Sequence, residues 1–280
     1  MGSVEFEFYR LRFHLTAIGA IHFPSGHSGN ILRGALGTIL KDKPAAYADV
    51  FAPRVGQAFS RSPSGLADWP RPFVFRASHL DGAVIHPTEH FHFEVNLFQA
   101  KEPPISDFVD AFTEVANRGF GPGRGAAALS SVDQDQARIV LDAPSHAISH
   151  LQLHFRTPTE LKATNGLAPK PDFAILLARI RDRISTLRAL YGSGPLEIDF
   201  AAFGDRAAQI RMTRCEIEMR HATRRSTRTG QRHPLGGFVG VAEYEGDLTE
   251  FLPYLTAAQH TGVGRQTTWG KGEISVLSSS

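Results

Sequence analysis

The chain contains a single cysteine, Cys215, among its 280 residues. One thiol excludes an internal disulfide and any zinc site built from several cysteines, and it fits a reducing compartment. The sequence also lacks an apolar run of about 18 residues, which excludes a membrane-spanning helix. Its first residues alternate in polarity and do not form the apolar core of a signal peptide. We therefore expect a cytoplasmic protein with no membrane partner.

The sequence also has no large excess of charge of either sign, because its 30 lysines and arginines are nearly balanced by 28 aspartates and glutamates. Hydrophobic content of 42% and charged content of 21% are typical of a globular chain with one large or two ordinary domains. Locally, however, eight arginines lie between Asp205 and Arg232 against three acidic residues. This excess indicates a surface for a polyanion, and the alternative is a solvated hairpin with paired charges. The arginines assigned to the surface are Arg220, Arg224, Arg225, Arg228 and Arg232.

Hydrophobic periodicity repeats in the two halves of the chain. Alternating apolar residues from Tyr9 to Ala17 predict a strand, and a helix is predicted from about Ile31 to Leu40. Each half then follows the order strand, helix, two strands, helix, glycine-rich loop, strand. This βαββαβ order predicts an α+β protein with two tandem ferredoxin-like (RRM-like) domains. We place the domains at residues 1–145 and 146–280, with an irregular insertion near 41–70 that is rich in Pro, Ala, Ser and Gly.

The most informative segment runs from His260 to Glu273 and links a predicted helix to a final strand. Its glycines let the backbone approach a partner closely, while two cations and a tryptophan suit phosphate and a stacked base. The dinucleotide-binding fingerprint is excluded because it opens a helix after a strand, and a Walker A loop is excluded because no Gly-Lys-Ser/Thr follows. A helix C-cap and tight turn is the alternative. The candidate binding residues are His260, Gly262, Gly264, Arg265, Trp269, Gly270, Lys271 and Gly272.

Two motifs carry a resemblance to a known family. Gly262-Val-Gly-Arg-Gln-Thr-Thr-Trp-Gly-Lys-Gly272 resembles the signature loop of the CRISPR repeat-processing endoribonucleases of the RAMP superfamily. Ile31-Leu-Arg-Gly-Ala-Leu-Gly37 resembles the Arg-Gly-containing first helix of the same superfamily. The resemblance implies paired ferredoxin-like domains and metal-independent cleavage of CRISPR repeat RNA in precursor transcripts, with no cofactor. It also implies 2′-hydroxyl attack on the adjacent phosphate, which leaves a 2′,3′-cyclic phosphate and a 5′-hydroxyl and produces guide RNAs.

Histidine is the natural proton carrier for such a reaction, because its unperturbed pKa of about 6.5 lies near neutrality. His27 is the first catalytic candidate, since it lies in a loop at the start of the first helix, where family members tend to place their catalytic histidine. A helix N-terminus also attracts phosphate. His22, in the same loop, is the second candidate. Arg33 within the helix is a candidate for phosphate, and a helix-surface cation is its alternative.

No metal site is assigned from the sequence. His86, His90 and His92 lie close together, but alternation along the strand predicted at 88–98 explains two of them as its exposed face. CRISPR repeat RNA is the expected partner, and we expect a monomer or homodimer. Two alternatives stay open: a non-catalytic RAMP subunit that binds guide RNA with other CRISPR effector subunits, and an unrelated RRM-like RNA-binding protein.

Overall fold

The computed structural model describes residues 4–52, 69–220, 223–225, 232–234 and 236–280. These residues form two four-stranded antiparallel sheets, one in each half of the chain, together with three two-stranded pairs. None of the helices among them is long and apolar enough to cross a membrane.

The first half combines a sheet with two long helices. Its elements are β1 (Glu5–Ala17), β2 (Ile21–His22), α1 (Ser28–Leu40), α2 (Pro44–Phe51), β3 (Phe73–Arg76), β4 (Val84–Ile85), β5 (His90–Leu97), α3 (Ile105–Arg118) and β6 (Ala127–Val140). Alternate side chains of a strand point to the same face. Leu11, Phe13 and Leu15 of β1 therefore share one core cluster with Phe108 and Phe112 of α3.

The second half repeats this plan. Its elements are β7 (His150–Thr159), β8 (Lys162–Ala163), β9 (Gly166–Leu167), α4 (Phe173–Tyr191), α5 (Phe200–Ala207), β10 (Arg211–Arg220), β11 (Thr223–Arg225), β12 (Arg232–Pro234), β13 (Gly237–Glu245), α6 (Leu252–Thr261) and β14 (Ile274–Ser279). The Asp172 side chain caps α4 by accepting a hydrogen bond from the Ile175 N–H. Pro253 lies in the first turn of α6. The backbone N–H groups of this turn have no partner within the helix, so proline, which lacks an N–H, costs no helical hydrogen bond there.

The two sheets have equivalent strand orders, β3-β5-β1-β6 and β10-β13-β7-β14. In each half the first strand is central and the last strand is its neighbour at the edge, which is the ferredoxin-like arrangement. The predicted α+β class with two tandem ferredoxin-like domains is confirmed. The boundary predicted at residues 145 and 146 lies between β6 and β7, and it stays a prediction.

Some local predictions were wrong. The insertion near 41–70, predicted to be irregular, contains α2, whose first turn begins at Pro44 and whose buried face carries Ala46, Val50 and Phe51. The rest of that insertion, residues 53–68, lies outside the described residues. Periodicity also failed to predict α5. It gave no indication of a 14-residue strand at β6, because most side chains of β6 are exposed and lack an apolar alternation.

The two halves share a hydrophobic cluster. Phe6, Phe8 and Phe98 of the first half belong to the same core as the buried residues of β7, α4 and α6. A hydrogen bond from the Tyr191 hydroxyl to the Pro70 carbonyl at 2.6 Å also crosses between the halves. Because this interface is buried and aromatic, it fixes where the C-terminal loop lies on the first half.

Candidate active site

The C-terminal glycine-rich loop, residues 262–272, lies directly against the start of α1. The Lys271 ammonium donates a hydrogen bond to the Gly26 carbonyl oxygen at 2.8 Å, across 245 residues of sequence. The backbones of Gly29 and Gly270 touch: a Cβ built on Gly29 would lie 2.8 Å from the Gly270 Cα. The two motifs singled out in the sequence therefore meet in space.

Arg33 and Trp269 form a second contact between α1 and the loop. The guanidinium carbon of Arg33 lies 5.3 Å from the Trp269 ring centroid and 5.3 Å from the Phe51 ring centroid. These distances are within the range of cation–π attraction. Arg33 is thus a packed residue and not a lone cation on the helix surface. Contact of either side chain with RNA stays a prediction.

Both catalytic candidates flank the loop that enters α1. His22 ends β2, pairs with Val84 and is exposed. His27 occupies the N-cap position of α1 and is half-buried. The His27 backbone N–H donates to the Pro24 carbonyl at 3.0 Å, and Lys271 holds the carbonyl of the residue before it. The glycine-rich loop therefore supports the backbone that carries His27, while the catalytic role of both histidines stays a prediction.

A carboxylate already occupies the N-terminus of α1. The Ser28 backbone N–H donates to Asp81 Oδ1 at 2.9 Å, and the Ser28 hydroxyl donates to the Ala77 carbonyl at 2.8 Å. A carboxylate here satisfies one terminal donor and interacts favourably with the helix dipole. Attraction of phosphate to this helix end is accordingly weaker than the sequence suggested.

Lys271, which the sequence analysis assigned to RNA binding, contacts the first half of the chain, and its RNA-binding role stays a prediction. Its side chain is buried, with 3% of the residue exposed. Burial lowers the pKa of the ammonium, and the nearby Asp81 carboxylate acts in the opposite direction. A buried cation needs a hydrogen-bond partner, which the Gly26 carbonyl provides. In this arrangement Lys271 anchors the loop to the first half.

Side chains from other elements cap the C-terminus of α6, where the loop begins. Arg76 Nε donates to the Gln259 carbonyl at 3.0 Å, Asn96 Nδ2 to the His260 carbonyl at 2.9 Å, and Arg183 Nε to the Thr261 carbonyl at 3.0 Å. The last carbonyls of a helix lack partners within it, and cations there interact favourably with the dipole. Two of the three donors come from the first half. Sequence reasoning missed all three, because none lies in a recognisable motif.

His260 faces the interface between the halves. Its ring centroid lies 4.8 Å from that of Phe8. Burial lowers the pKa of His260 to about 4, and the charges of Arg76 and Arg10 act in the same direction. The ring is therefore neutral at pH 7 and packs against the first half, and the RNA-binding role of His260 stays a prediction.

We expect His260 to make the protein less stable in acid. Its pKa is about 4 when folded and about 6.5 when unfolded, so the unfolded state takes up the proton first as the pH falls. The free energy of unfolding should drop by up to about 3 kcal/mol between pH ~6.5 and pH ~4. Chemical unfolding at several pH values should show this drop in the wild type and in His146→Gln, an exposed control, but not in His260→Gln. Equal pH dependence in all three proteins would contradict the assignment.

The end of β7 connects the loop to the base of the arginine-rich hairpin. On one side, the Gly272 N–H donates to the Pro158 carbonyl at 3.1 Å. On the other, a Cβ built on Gly237 would lie 2.5 Å from the Thr159 nitrogen. Gly237 pairs with Arg220 at the end of the β10–β13 ladder, where the hairpin leaves the sheet. The hairpin base and the loop are therefore adjacent.

Two loop glycines are required by close backbone contacts. Gly264 has φ +80°, and a Cβ there would lie 2.2 Å from the Glu160 carbonyl oxygen. Gly272 has φ +68°, and its Cβ would lie 1.9 Å from the Val263 carbonyl oxygen. Between them, Arg265 is exposed and its guanidinium lies 3.4 Å from the Glu160 carboxylate. The glycines shape the loop, and Arg265 is the cation that it presents to solvent.

The predicted polyanion surface is only partly described. Arg220 is exposed and forms an ion pair with Glu218. Ion pairs with carboxylates also involve Arg206, Arg211 and Arg214. Arg224 and Arg225 lie on β11 and Arg232 on β12, with Arg225 opposite Arg232, whereas Arg228 lies outside the described residues. Charges at the base of the hairpin are thus paired, as the alternative interpretation expected, and RNA binding by the arginines stays a prediction.

Within the described part of the chain, no three histidine, cysteine, aspartate or glutamate side chains are grouped so as to hold a metal ion. His90 and His92 lie at exposed positions of β5, as alternation predicted. The His92 ring stacks on His79 with centroids 4.6 Å apart.

Solved structures with a similar fold include Cas6 proteins. Thermus thermophilus Cas6 (TTHB231) superposes with a TM-score of 0.56 at 13% identity, covering 99% of this chain and 100% of that one. A Cas6 (TTHA0078) product complex gives 0.56 at 19% identity, covering 97% and 100%. A Cas6-related protein from Pyrococcus furiosus gives 0.51 at 12% identity, covering 96% and 98%. At these identities the likeness concerns the fold.

Comparison of the sequence with protein-family models identifies related families for both halves of the chain. None of the curated protein sequences matches this chain. A model described as an N-terminal domain, AF_1859_N, matches residues 6–153, which is just over half of the chain. The model described as CRISPR-associated endoribonuclease Cas6 matches residues 153–274, which include the glycine-rich loop. The two adjoining matches cover both ferredoxin-like halves, and the Cas6 match over the second half identifies the chain as a Cas6-type protein of CRISPR repeat processing.

Proposed function

We propose that this protein is an endoribonuclease that cuts CRISPR repeat RNA in precursor transcripts to release guide RNAs. The main observation behind the proposal is that the glycine-rich loop contacts the start of α1, beside His27, through Lys271 and Gly270. One segment offers an exposed cation and the other an imidazole, so a bound ribonucleotide chain would have a proton carrier within reach. The match to the Cas6 family model supports the same activity.

The proposed reaction is a transesterification within the RNA. The 2′-oxygen attacks the adjacent phosphorus, the bond from phosphorus to the 5′-oxygen breaks, and the products end in a 2′,3′-cyclic phosphate and a 5′-hydroxyl. One group must accept the proton of the 2′-hydroxyl and another must donate a proton to the leaving 5′-oxygen. We assign these transfers to His27 and His22, which flank one short loop. By resemblance to the family, the reaction needs no metal.

The RNA path that fits this site follows the adjacent loop and hairpin. Arg265 of the loop and Arg220 at the hairpin base are exposed, and the end of β7 lies between their segments. Cations and backbone N–H groups along such a path would hold phosphates, whereas sequence choice needs contacts with base edges.

The ends of the RNA fragments test the chemistry. We expect purified protein to cut repeat RNA at one position in excess EDTA and to leave a 3′ end that resists phosphatase until acid opens the cyclic phosphate. A matched RNA with one 2′-deoxynucleotide before the scissile phosphate should bind equally well and stay intact, because the nucleophile is missing. Cleavage of this deoxy RNA, or cleavage only with added metal, would reject the mechanism. Binding without any cleavage would favour the non-catalytic RAMP subunit.

As partners we propose CRISPR repeat RNA and other CRISPR effector subunits. The solved structure of a partial Cas6-RT-Cas1--Cas2 complex superposes with a TM-score of 0.62 at 12% identity, and this chain covers 46% of that one. In that complex Cas6 is joined with RT, Cas1 and Cas2, and this precedent supports a partner protein for the present chain. Light scattering of the purified protein, with and without RNA, distinguishes the monomer from the homodimer.

A further inference from the structure

A cavity of about 530 Å³ lies behind the glycine-rich loop, between α4 and the β8–β9 hairpin. This volume is within the range of ordinary small-ligand pockets. Its wall includes the side chains of Lys162, Arg179, Arg183, Arg265, Leu167 and Pro70. None of these residues except Arg265 was a candidate from the sequence, and all of them except Pro70 belong to the second half, whereas His22 and His27 lie in the first.

The cavity wall carries more positive than negative charge. Asp182 is the acidic residue in the wall. It is ion-paired with Arg179 at 3.0 Å and with Arg181 at 2.8 Å. Arg265 has Glu160 as its partner at 3.4 Å. Lys162 and Arg183 form no ion pair with the described residues, so the wall has unneutralised positive charge.

Arg183 is the most informative group in the wall. Its Nε donates to the Thr261 carbonyl at 3.0 Å, whereas its buried Nη2 has no hydrogen-bond partner among the described residues. Burial and the charge of Arg76 lower the pKa of Arg183 to about 9, and no carboxylate acts against them. A buried guanidinium without an anion is costly, and phosphate is the anion whose geometry an arginine fork fits well.

The remainder of the wall suits a flat apolar group. Leu167 is 51% exposed, which is high for a leucine, and it lies on β9 at the cavity. Pro70 contributes a second apolar surface. Such a surface suits the flat face of a nucleobase, since every base has an apolar face and polar edges.

We propose that this cavity receives one unpaired nucleotide of the repeat RNA, with its phosphate at Arg183 and Arg179 and its base against Leu167 and Pro70. The inference rests on the proposed function for the identity of the RNA. Bound there, the nucleotide would fix the register of the strand as it passes Arg265 toward the first half. Lys162 at the cavity supplies a further phosphate contact.

Equilibrium binding of repeat RNA tests the cavity without any need for cleavage. Leu167→Asp should weaken binding by about tenfold, because it removes a packing surface and adds a like charge to phosphate. Arg179→Ala should lower the slope of log K against log salt by about 1, as expected for the loss of one phosphate contact. Arg138→Ala is the matched control: this exposed arginine on β6 is paired with Glu7 at 3.0 Å, the same distance as Arg179 to Asp182.

The source of the nucleotide is tested with adenosine 5′-monophosphate and with chemical probing of the bound RNA. We expect one repeat nucleotide to be protected in the wild type and to become reactive in Leu167→Asp, while millimolar mononucleotide leaves RNA binding unchanged. The proposal would be overturned if Leu167→Asp and Arg179→Ala bound RNA as tightly as the wild type and if no nucleotide were protected in the wild-type complex. Binding of the mononucleotide with unchanged RNA affinity in the variants would also overturn it. A protein that binds RNA through the cavity but never cuts it would refute the proposed function alone.

Discussion

Replacing His27 by alanine is expected to slow single-turnover cleavage of repeat RNA by about 10²–10⁴-fold, which is the usual contribution of a positioned proton carrier. The affinity for RNA should change little, because the imidazole is half-buried at the start of α1 and the exposed cations lie on other segments. Rate constants measured at saturating protein separate the chemical step from binding.

The controls for His27 use two other histidines. His22→Ala should show a loss of the same kind if both groups transfer protons, and the double variant should lose less than the product of the single losses, since groups that act as a unit are not additive. His146→Ala, at an exposed position between β6 and β7, should cut normally. An unimpaired rate in His27→Ala would remove this residue from the mechanism.

Gly29→Ala is expected to destabilise the protein, although glycine-to-alanine changes within helices usually stabilise. Alanine normally stabilises a helix by up to about 1 kcal/mol relative to glycine. At position 29, however, the new Cβ would lie 2.8 Å from the Gly270 Cα and 3.0 Å from the Trp269 carbonyl oxygen. Backbone atoms cannot move aside as side chains do, so we expect a net loss of about 1–3 kcal/mol and displacement of the loop from α1.

Gly34→Ala provides the matched control in the same helix. A Cβ at position 34 would have no neighbour within 4 Å among the described residues, so this variant should be more stable than the wild type by about 0.5–1 kcal/mol. Urea unfolding of the two variants measures the difference. Slower RNA cleavage is expected for Gly29→Ala, because the loop no longer supports the segment that carries His27. Equal stability of the two variants would show that the loop and α1 do not touch.

Local periodicity was enough to predict the architecture. The alternation from Tyr9 to Ala17 corresponds to most of β1, and the helix predicted from about Ile31 to Leu40 corresponds to most of α1. Elements whose side chains lie mostly on the surface were less predictable. β6 has a buried residue only at Ala127 within its range, and its pairing with β1 along 13 positions depends on backbone hydrogen bonds that any sequence can form.

The candidate site was predictable in its segments but not in its contacts. The glycine-rich loop and the His27 loop were both identified, and the structure places them together. The burial of Lys271 could not be predicted, because it depends on a carbonyl that lies 245 residues away. The hydrogen bond from Asn96 to the His260 carbonyl at the end of α6 could not be predicted either, since a polar residue in an alternating strand gives no indication of its partner.

The position of the glycine-rich loop depends on both halves of the chain. The loop belongs to the second half, but Arg76 and Asn96 of the first half donate hydrogen bonds to the end of α6, where the loop begins. A polypeptide severed between β6 and β7 would therefore separate His22 and His27 from the loop, so under the proposed function neither fragment would cut RNA. Under the proposed function, a nascent chain would gain cleavage activity only after the glycine-rich loop had been synthesised and had docked on the first half. The same division makes the protein suitable for a split reporter, whose signal would report reunion of the fragments.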